Sequence, residues 1–201
     1  MASRRPSQKG ATPAAAIVVC IHLGYVAAAA RGGRVVAVSL PAPTAEAARR
    51  GVCDDADFGL QDKVLPGLAE DLRRYFAGDR VDLRRHPIDL SELPPFCRRA
   101  LLAARSIPYG QTRSYRWVAR RAGSPAAARA AGQAMARNPI PLVVPCHRVL
   151  GAGGALTGFG GGLATKRALL ELEGVRCDRT RVLPEAGARR ESRSTPRRSG
   201  P

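Results

Sequence analysis

One segment, residues 138–149, constrains the fold more than any other part of this sequence. Its first two prolines end any preceding helix and favour an extended path, because proline fixes φ and removes a backbone donor. The apolar run 140–144 then predicts that the segment is buried. Cys146 and His147 come directly after this run. A buried cysteine next to an imidazole is where a thiolate can form, so the pair is a candidate nucleophile and base.

Two predicted helices upstream of this segment have helix-turn-helix spacing. Ser114 is a typical N-cap for a helix over 115–121, and Ser124-Pro125 predicts the start of a second helix over 126–137. A three-residue turn that contains a glycine joins them, as in many DNA-binding motifs. The second helix consists mostly of small residues together with Arg129. Its backbone can therefore approach a nucleic-acid groove closely.

The charge of the chain indicates a polyanionic partner. Its 201 residues include 33 Lys and Arg against 16 Asp and Glu, which gives a net charge of +17. Such a chain is attracted to nucleic acid first and to anionic membranes second, and composition alone does not choose between them. Both ends, residues 1–12 and 177–201, are basic and rich in Ser, Pro and Gly. We expect them to be disordered tails.

The uncharged run 11–30 follows two arginines and so resembles an export leader, but proline, histidine and glycine interrupt it. A β-hairpin over 17–30 with a return strand over 35–40 fits better. We therefore expect the protein to be cytoplasmic or otherwise intracellular and not exported.

The whole pattern predicts an α/β (α+β) fold of two domains. Residues 13–90 form a small sheet-containing domain with helices over 45–50 and 65–77 and a further strand over 81–83. Residues 91–176 form a mainly helical domain of the winged helix-turn-helix kind. Prolines between the two mark a linker.

Five cysteines without CxxC spacing do not indicate a disulfide framework or a zinc ribbon. Cys20 and His22 with Cys53 or His86 are conceivable metal ligands, yet nothing fixes their geometry, so no metal is expected. Buried free thiols are the commoner explanation for scattered cysteines, and this alternative applies to an isolated Cys-His pair as well.

The stretch 96–174 resembles the O6-alkylguanine-DNA alkyltransferase family, also called methylated-DNA–protein-cysteine methyltransferases. Pro145-Cys146-His147-Arg148 matches the active-site motif of that family. Other matches occur in the same order and spacing: Ile107-Pro108-Tyr109-Gly110, Ser114-Tyr115, Ala128-Arg129-Ala130-Ala131-Gly132, Asn138-Pro139, Gly161-Gly162-Leu163, Lys166 and Leu169-Leu170. Residues 13–90 resemble the variable domain of the family only loosely.

The resemblance implies a catalytic set of four residues. Cys146 is the nucleophile and alkyl acceptor, and His147 is its base, acting through a water. Glu173 orients the imidazole and stabilises its charge. Tyr115 supplies a hydrogen-bond or proton donor for the departing guanine.

The resemblance also implies how DNA is held. Arg129 fills the space left by a flipped base, since flipping costs stacking and pairing energy. Arg116 and Ser124 contact phosphates, Ser124 partly through a helix N-terminus, and Tyr115 contacts the DNA as well. Asn138 has a structural role in the turn before the active site.

Four further residues would line the base pocket by resemblance: Val149, Phe159, Gly160 and Lys166. Phe159 stands where many relatives carry tyrosine, so it keeps the stacking face and loses the hydroxyl. This departure bears on substrate preference and not on the sulfur chemistry.

The function implied is DNA repair by direct reversal. The chain would transfer a methyl or other alkyl group from O6-alkylguanine, with O4-alkylthymine as a second candidate lesion, irreversibly to its own cysteine. Its partner would be double-stranded DNA that carries the lesion, it would act as a monomer, and neither cofactor nor membrane would be involved.

Three other interpretations compete with this function. A non-reacting lesion-binding relative would replace the cysteine, which is present here. A helix-turn-helix regulator would need no glycine-rich pocket loop like that at 158–162. A cysteine hydrolase would need an oxyanion-hole loop, which is not evident in the sequence.

Overall fold

The computed structural model describes residues 15–52 and 65–183. The chain begins there with a three-stranded antiparallel sheet in the order β1-β2-β3. The strands are β1 (Ala15–Ile21), β2 (Gly24–Arg31) and β3 (Arg34–Val38). Gly32 and Gly33, with φ values of 55° and 73°, form the two-residue turn between β2 and β3, because that type of turn needs positive φ. The predicted hairpin and return strand are confirmed.

Two helices follow the sheet. Helix α1 (Ala45–Arg50) has the predicted bounds, and Oγ1 of its N-cap Thr44 accepts from the Ala47 N–H at 3.1 Å. Helix α2 (Leu68–Phe76) is shorter than the predicted 65–77 and packs on β1. Its large apolar side chains lie on one buried face, as the 3.6-residue periodicity requires: Leu68, Leu72, Tyr75 and Phe76.

The strand predicted over 81–83 is wrong. A short 3-10 turn, Leu83–Arg85, occupies this part of the chain. The Asp82 carboxylate accepts from the Arg84 N–H at 3.0 Å and so caps the turn. This local side-chain bond competes with an extended backbone, which explains the failure.

The second half is mainly helical. Its helices are α3 (Pro95–Arg105), α4 (Tyr115–Arg121), α5 (Ala128–Ala136) and α6 (Gly162–Leu172). Helices α3, α4 and α5 pack on one another. Two short strands, β4 (Arg113–Ser114) and β5 (Val149–Leu150), pair in parallel beside them. The predicted α/β class with a helical domain is confirmed.

Two local expectations in this half are wrong. Helix α5 begins at Ala128 and not at 126, and Ser124 does not cap it; Ala127 is its N-cap, without a side-chain hydrogen bond. The run 140–144 is buried but forms successive turns in place of an extended segment. Leu142 has a φ of 73°, and the Val144 N–H donates to the Ile140 carbonyl at 2.8 Å.

The hydrophobic core is continuous between the two halves. One buried cluster includes Val26 and Tyr75 from the first half together with Val118 and Val143 from the second. The Val38 N–H also donates to the Pro139 carbonyl at 2.9 Å, so β3 is bonded directly to the segment before the cysteine. The domain boundary at 90/91 stays a prediction.

Residues 177–183, which were predicted to start a disordered tail, are folded. Cys177 pairs with Val182, and Arg181 pairs with Ala155, so residues 177–183 fold back on the second half. The rest of that predicted tail and the N-terminal one lie outside the described residues. Within residues 15–52 and 65–183, no helix is both long enough and apolar enough to cross a membrane.

Candidate active site

Cys146 lies on a tight 3-10 turn, Cys146–Arg148, and is only 5 % exposed. The buried Asn138 side chain holds the approach to this turn. Its Nδ2 donates to the Val144 carbonyl at 2.8 Å and to Cys146 Sγ at 3.2 Å, while its Oδ1 accepts from the Ile140 N–H at 3.0 Å. A single amide thus stabilises the turn and gives the sulfur a donor, which favours a thiolate.

His147 and Glu173 form a buried pair. His147 Nε2 lies 2.8 Å from Glu173 Oε1, and both side chains are almost wholly excluded from solvent. An ionised carboxylate can only accept, so the imidazole must carry its proton on Nε2. Nδ1 is then the ring nitrogen that is able to take up a proton.

Glu173, the C-cap residue of α6, receives donors from several parts of the chain. Arg148 donates from Nε to Oε2 and from Nη2 to Oε1, each at 2.8 Å. The Gly110 N–H donates to Oε2 at 3.1 Å, and the Tyr75 hydroxyl donates to Oε1 at 2.7 Å. The carboxylate is therefore fixed in place on both oxygens.

The electrostatics of the pair suit a base at neutral pH. Burial lowers the pKa of His147 below its ordinary value, with Glu173 opposing this effect. Burial alone would raise the pKa of Glu173, but its contacts with His147 and Arg148 outweigh burial and hold the pKa well below the usual range. With His147 kept neutral by burial, the charge and hydrogen bonds of Arg148 keep Glu173 ionised.

Lys166 and Tyr115 lie near the cysteine, with which both interact electrostatically. Lys166 is fully buried, and its Nζ donates to the carbonyls of Val149 at 2.6 Å and Thr157 at 2.9 Å. Burial lowers the pKa of Lys166 to about 8. Its Nζ is 5.8 Å from the centre of the Tyr115 ring. Burial raises the pKa of Tyr115, so the phenol keeps its proton.

The four residues assigned to the base pocket are not equally enclosed. Val149, on β5, and Lys166 are buried and hydrogen-bonded to each other. Phe159 is half-buried and Gly160 is exposed, both on the glycine-rich loop before α6. This loop packs closely against the first half, since a Cβ at Gly161 would lie 2.6 Å from Leu40 Cδ1.

The residues assigned to DNA lie on the helix-turn-helix. Arg116 on α4 and Arg129 on α5 are exposed, and Ser124 lies in the turn between the helices. Within residues 15–52 and 65–183, none of these three side chains has a partner for a hydrogen bond or an ion pair. The expected helix N-terminus at Ser124 is wrong, because α5 begins four residues later.

Sequence reasoning missed two participants in the site. Arg148 was part of the matched motif but received no role, and the sequence indicated no role for Tyr75 beyond its place in the helix predicted over 65–77. A buried tyrosine needs a partner for its hydroxyl, and that requirement was the available signal. Among the described residues no group of three His, Cys, Asp or Glu side chains is placed to hold a metal, and Cys53 lies outside them.

Comparison with known proteins decides the family. The sequence model described as "6-O-methylguanine DNA methyltransferase, DNA binding domain" matches residues 95–175. The crystal structure of Mycobacterium tuberculosis O6-methylguanine methyltransferase is 37% identical, with a TM-score of 0.62 over 79% of this chain and 92% of that one. The chain belongs to the O6-alkylguanine-DNA alkyltransferase family. The resemblance inferred from the sequence is confirmed.

Other alkyltransferases agree with this assignment. The structure of M. tuberculosis OGT in complex with DNA is 36% identical with a TM-score of 0.64, covering 79% of this chain and 92% of that one. Among curated relatives, the methylated-DNA–protein-cysteine methyltransferase of Mycolicibacterium paratuberculosis is 50% identical over 111 residues, which is 55% of this chain. The constitutive enzyme of Bacillus subtilis is 45% identical over 112 residues, 54% of this chain. Both alignments span 66% of the relative, slightly less than two thirds.

Proposed function

We propose that this alkyltransferase repairs DNA by direct reversal, moving an alkyl group from O6 of guanine to its own Cys146 once per molecule. One observation carries the proposal: a buried cysteine shares a single turn with an imidazole that a buried carboxylate orients at 2.8 Å. The presence of that cysteine also disfavours a lesion-binding protein that does not react.

The nucleophile is generated by proton transfer from the Cys146 thiol to His147. Nδ1 is the accepting nitrogen, because Nε2 already donates to Glu173. A bridging water relays the proton, as the family resemblance implies. Glu173 stabilises the resulting imidazolium, and the Asn138 amide stabilises the thiolate at 3.2 Å.

Alkyl transfer then forms one bond and breaks another. The sulfur lone pair attacks the alkyl carbon, the carbon–O6 bond breaks, and its electron pair moves onto the guanine. Tyr115, whose raised pKa keeps the phenol protonated until this step, passes its proton to the leaving guanine. The His147 imidazolium then returns the thiol proton through solvent to Tyr115, while the buried Lys166 provides positive charge near the Tyr115 ring. The products are unmodified guanine and an S-alkyl thioether. A thioether is stable, so the reaction is single-turnover.

Double-stranded DNA with an O6-alkylguanine is the substrate, and O4-alkylthymine is a second candidate. We expect Arg116 and Ser124 to contact phosphates and Arg129 to occupy the space of the flipped base. The exposure of both arginines and the DNA complex of the M. tuberculosis relative support this arrangement. Val149, Phe159, Gly160 and Lys166 are the proposed pocket.

The chain itself carries every group that the reaction needs, so we propose that it acts as a monomer without a cofactor. We also propose that it acts inside the cell. A catalytic thiol must stay reduced, and intracellular compartments maintain that state.

The test of this function is the replacement of Cys146 by serine. We expect Cys146→Ser to lose transfer from O6-methylguanine duplex DNA but to retain DNA affinity, because phosphate contacts supply most of that affinity. Transfer would be followed with a labelled methyl group and affinity by titration of the same duplex. Cys20→Ser, which removes an exposed thiol, should react like the parent. Normal transfer by Cys146→Ser would contradict the proposal.

A further inference from the structure

Tyr75 belongs to the first half of the chain, yet its hydroxyl lies within the catalytic group of the second. It donates to Glu173 Oε1 at 2.7 Å, and its oxygen is 3.5 Å from His147 Nε2. The side chain is fully buried. Tyr75 lies outside the stretch 96–174 that resembles the family, and its contact with Glu173 joins residues 98 positions apart.

Rigid elements hold the phenol in position. Its ring packs edge-on against Phe76 at 5.2 Å and against Tyr109 at 6.1 Å between ring centres. One turn earlier in α2, the buried Asp71 accepts from Arg85 Nε at 2.6 Å and lies 2.7 Å from His86 Nε2. Two successive turns of the buried face of α2 are thus held in place, so the hydroxyl is a fixed donor.

The hydroxyl shares its acceptor with the catalytic histidine. Glu173 Oε1 accepts from Tyr75, from Arg148 and from the His147 N–H. Each additional donor to a carboxylate oxygen reduces the strength with which that oxygen accepts from the others. Burial, together with the neighbouring carboxylate, raises the pKa of Tyr75 well above its ordinary value, so the phenol donates throughout the working pH range.

We propose that Tyr75 is a positioning residue that sets the basicity of the His147–Glu173 pair. Its hydroxyl fixes Oε1 and weakens the hold of Glu173 on the imidazolium, which keeps His147 neutral and its Nδ1 available. The other charged or titratable groups around His147 are Arg148, Lys166 and Cys146. The role of Tyr75 in the reaction rests on the proposed function.

The test compares Tyr75→Phe with the parent and with Tyr25→Phe. The control removes the hydroxyl of a tyrosine on β2. Among the described residues, this hydroxyl makes no side-chain hydrogen bond. The His147 imidazole would be titrated by NMR, with the two other histidines of the chain assigned by single replacement. We expect the His147 midpoint to rise on the order of half a pH unit in Tyr75→Phe, as loss of one donor predicts, and to stay constant in Tyr25→Phe.

The transfer rate provides the second readout. In Tyr75→Phe the acid limb of the pH–rate profile should move upward with the His147 midpoint, and the rate should fall several-fold on that limb. Because the NMR titration does not depend on turnover, a parent protein that failed to transfer would contradict the proposed function but would leave the test of Tyr75 intact.

A second variant covers the case in which Tyr75→Phe does not fold. Incorporation of 3-fluorotyrosine at position 75 keeps the shape and makes the phenol a stronger donor, so the His147 midpoint should fall. An unchanged or oppositely shifted midpoint in either folded variant overturns the proposal. So does a rate loss that is uniform across pH, because that would reflect packing alone.

Discussion

At the scale of single residues, Glu173 is the centre of the site. Its two oxygens accept from Tyr75, Gly110, His147 and Arg148, which come from three separate stretches of the chain. The charge of Arg148 is also buried, and Glu173 is its ion-pair partner at 2.8 Å. The proposed catalysis and the stability of the fold therefore depend on the same carboxylate.

Replacing Glu173 by glutamine should destabilise the protein strongly. We expect a loss of about 3–5 kcal/mol in the free energy of unfolding at neutral pH, because Arg148 would stay buried without its counter-charge. Urea denaturation measures this loss. The contribution of Glu173 is present above its unfolded pKa of 4.5 and is lost as pH falls further, since its folded pKa is lowered. The difference between Glu173→Gln and the parent should accordingly shrink below that pH.

The matched control is Glu171→Gln on the same helix. Its carboxylate lies 3.6 Å from Arg167, and both side chains are more than two-fifths exposed. Such surface pairs contribute at most about 1 kcal/mol. Equal losses for the two glutamine variants would show that the buried network adds nothing to stability.

At the scale of elements, helix starts with local caps were predictable. Thr44 and Ser114 cap α1 and α4 through bonds to residues three positions on, so the sequence around each suffices. Ser124-Pro125 has the same local appearance. However, the Ser124 N–H donates to the Ala119 carbonyl, and the Ser124 carbonyl accepts from the Ala127 N–H. Those bonds form a separate turn, and the helix begins only afterwards.

Contacts distant in sequence were not predictable from local patterns. The left-handed φ of Leu142 follows the Asn138 bonds that shape the turn, and leucine itself gives no sign of it. The motif around Cys146 and His147 was sufficient to propose the nucleophile and base. The contact between Tyr75 and Glu173 depends on how α2 packs against the second half, which no periodicity encodes.

The helix-turn-helix carries the prediction that belongs to this scale. Arg129→Ala should slow repair of duplex DNA by roughly tenfold or more, equivalent to about 1.4 kcal/mol of lost support for the flipped base. Dealkylation of free O6-benzylguanine should not change, since no base is flipped. Rates with both substrates would be compared.

Arg73→Ala is the control for Arg129→Ala. It removes the same charge from α2, on an exposed side chain paired with Glu70. Equal losses with duplex and free base in Arg129→Ala, or an equal duplex effect in Arg73→Ala, would exclude a specific role in flipping.

At the scale of the whole molecule, the charge of +17 is partly carried by the two ends. Residues 1–14 and 184–201 each contribute three net positive charges. Deleting both segments should flatten the salt dependence of DNA binding, because log K falls by about 0.9 per neutralised phosphate for each decade of salt. The C-terminal deletion starts at residue 184 because residues 177–183 pair with the second half.

Binding titrations from low to physiological salt would measure that slope, with dealkylation of free O6-benzylguanine as the control. An unchanged slope would mean that the terminal arginines do not contact DNA. A lost free-base reaction would mean that the ends contribute to the active site.

The central claim is that Cys146 accepts the alkyl group, and the mass of the reacted protein tests it most directly. After incubation with duplex DNA that contains O6-methylguanine, the intact chain should gain about 14 Da, one methylene, as attack by the thiolate requires. Peptide mapping should place the gain on the peptide that contains Cys146, at one equivalent per lesion. No gain at stoichiometric lesion, or a gain located on another cysteine, would contradict the account.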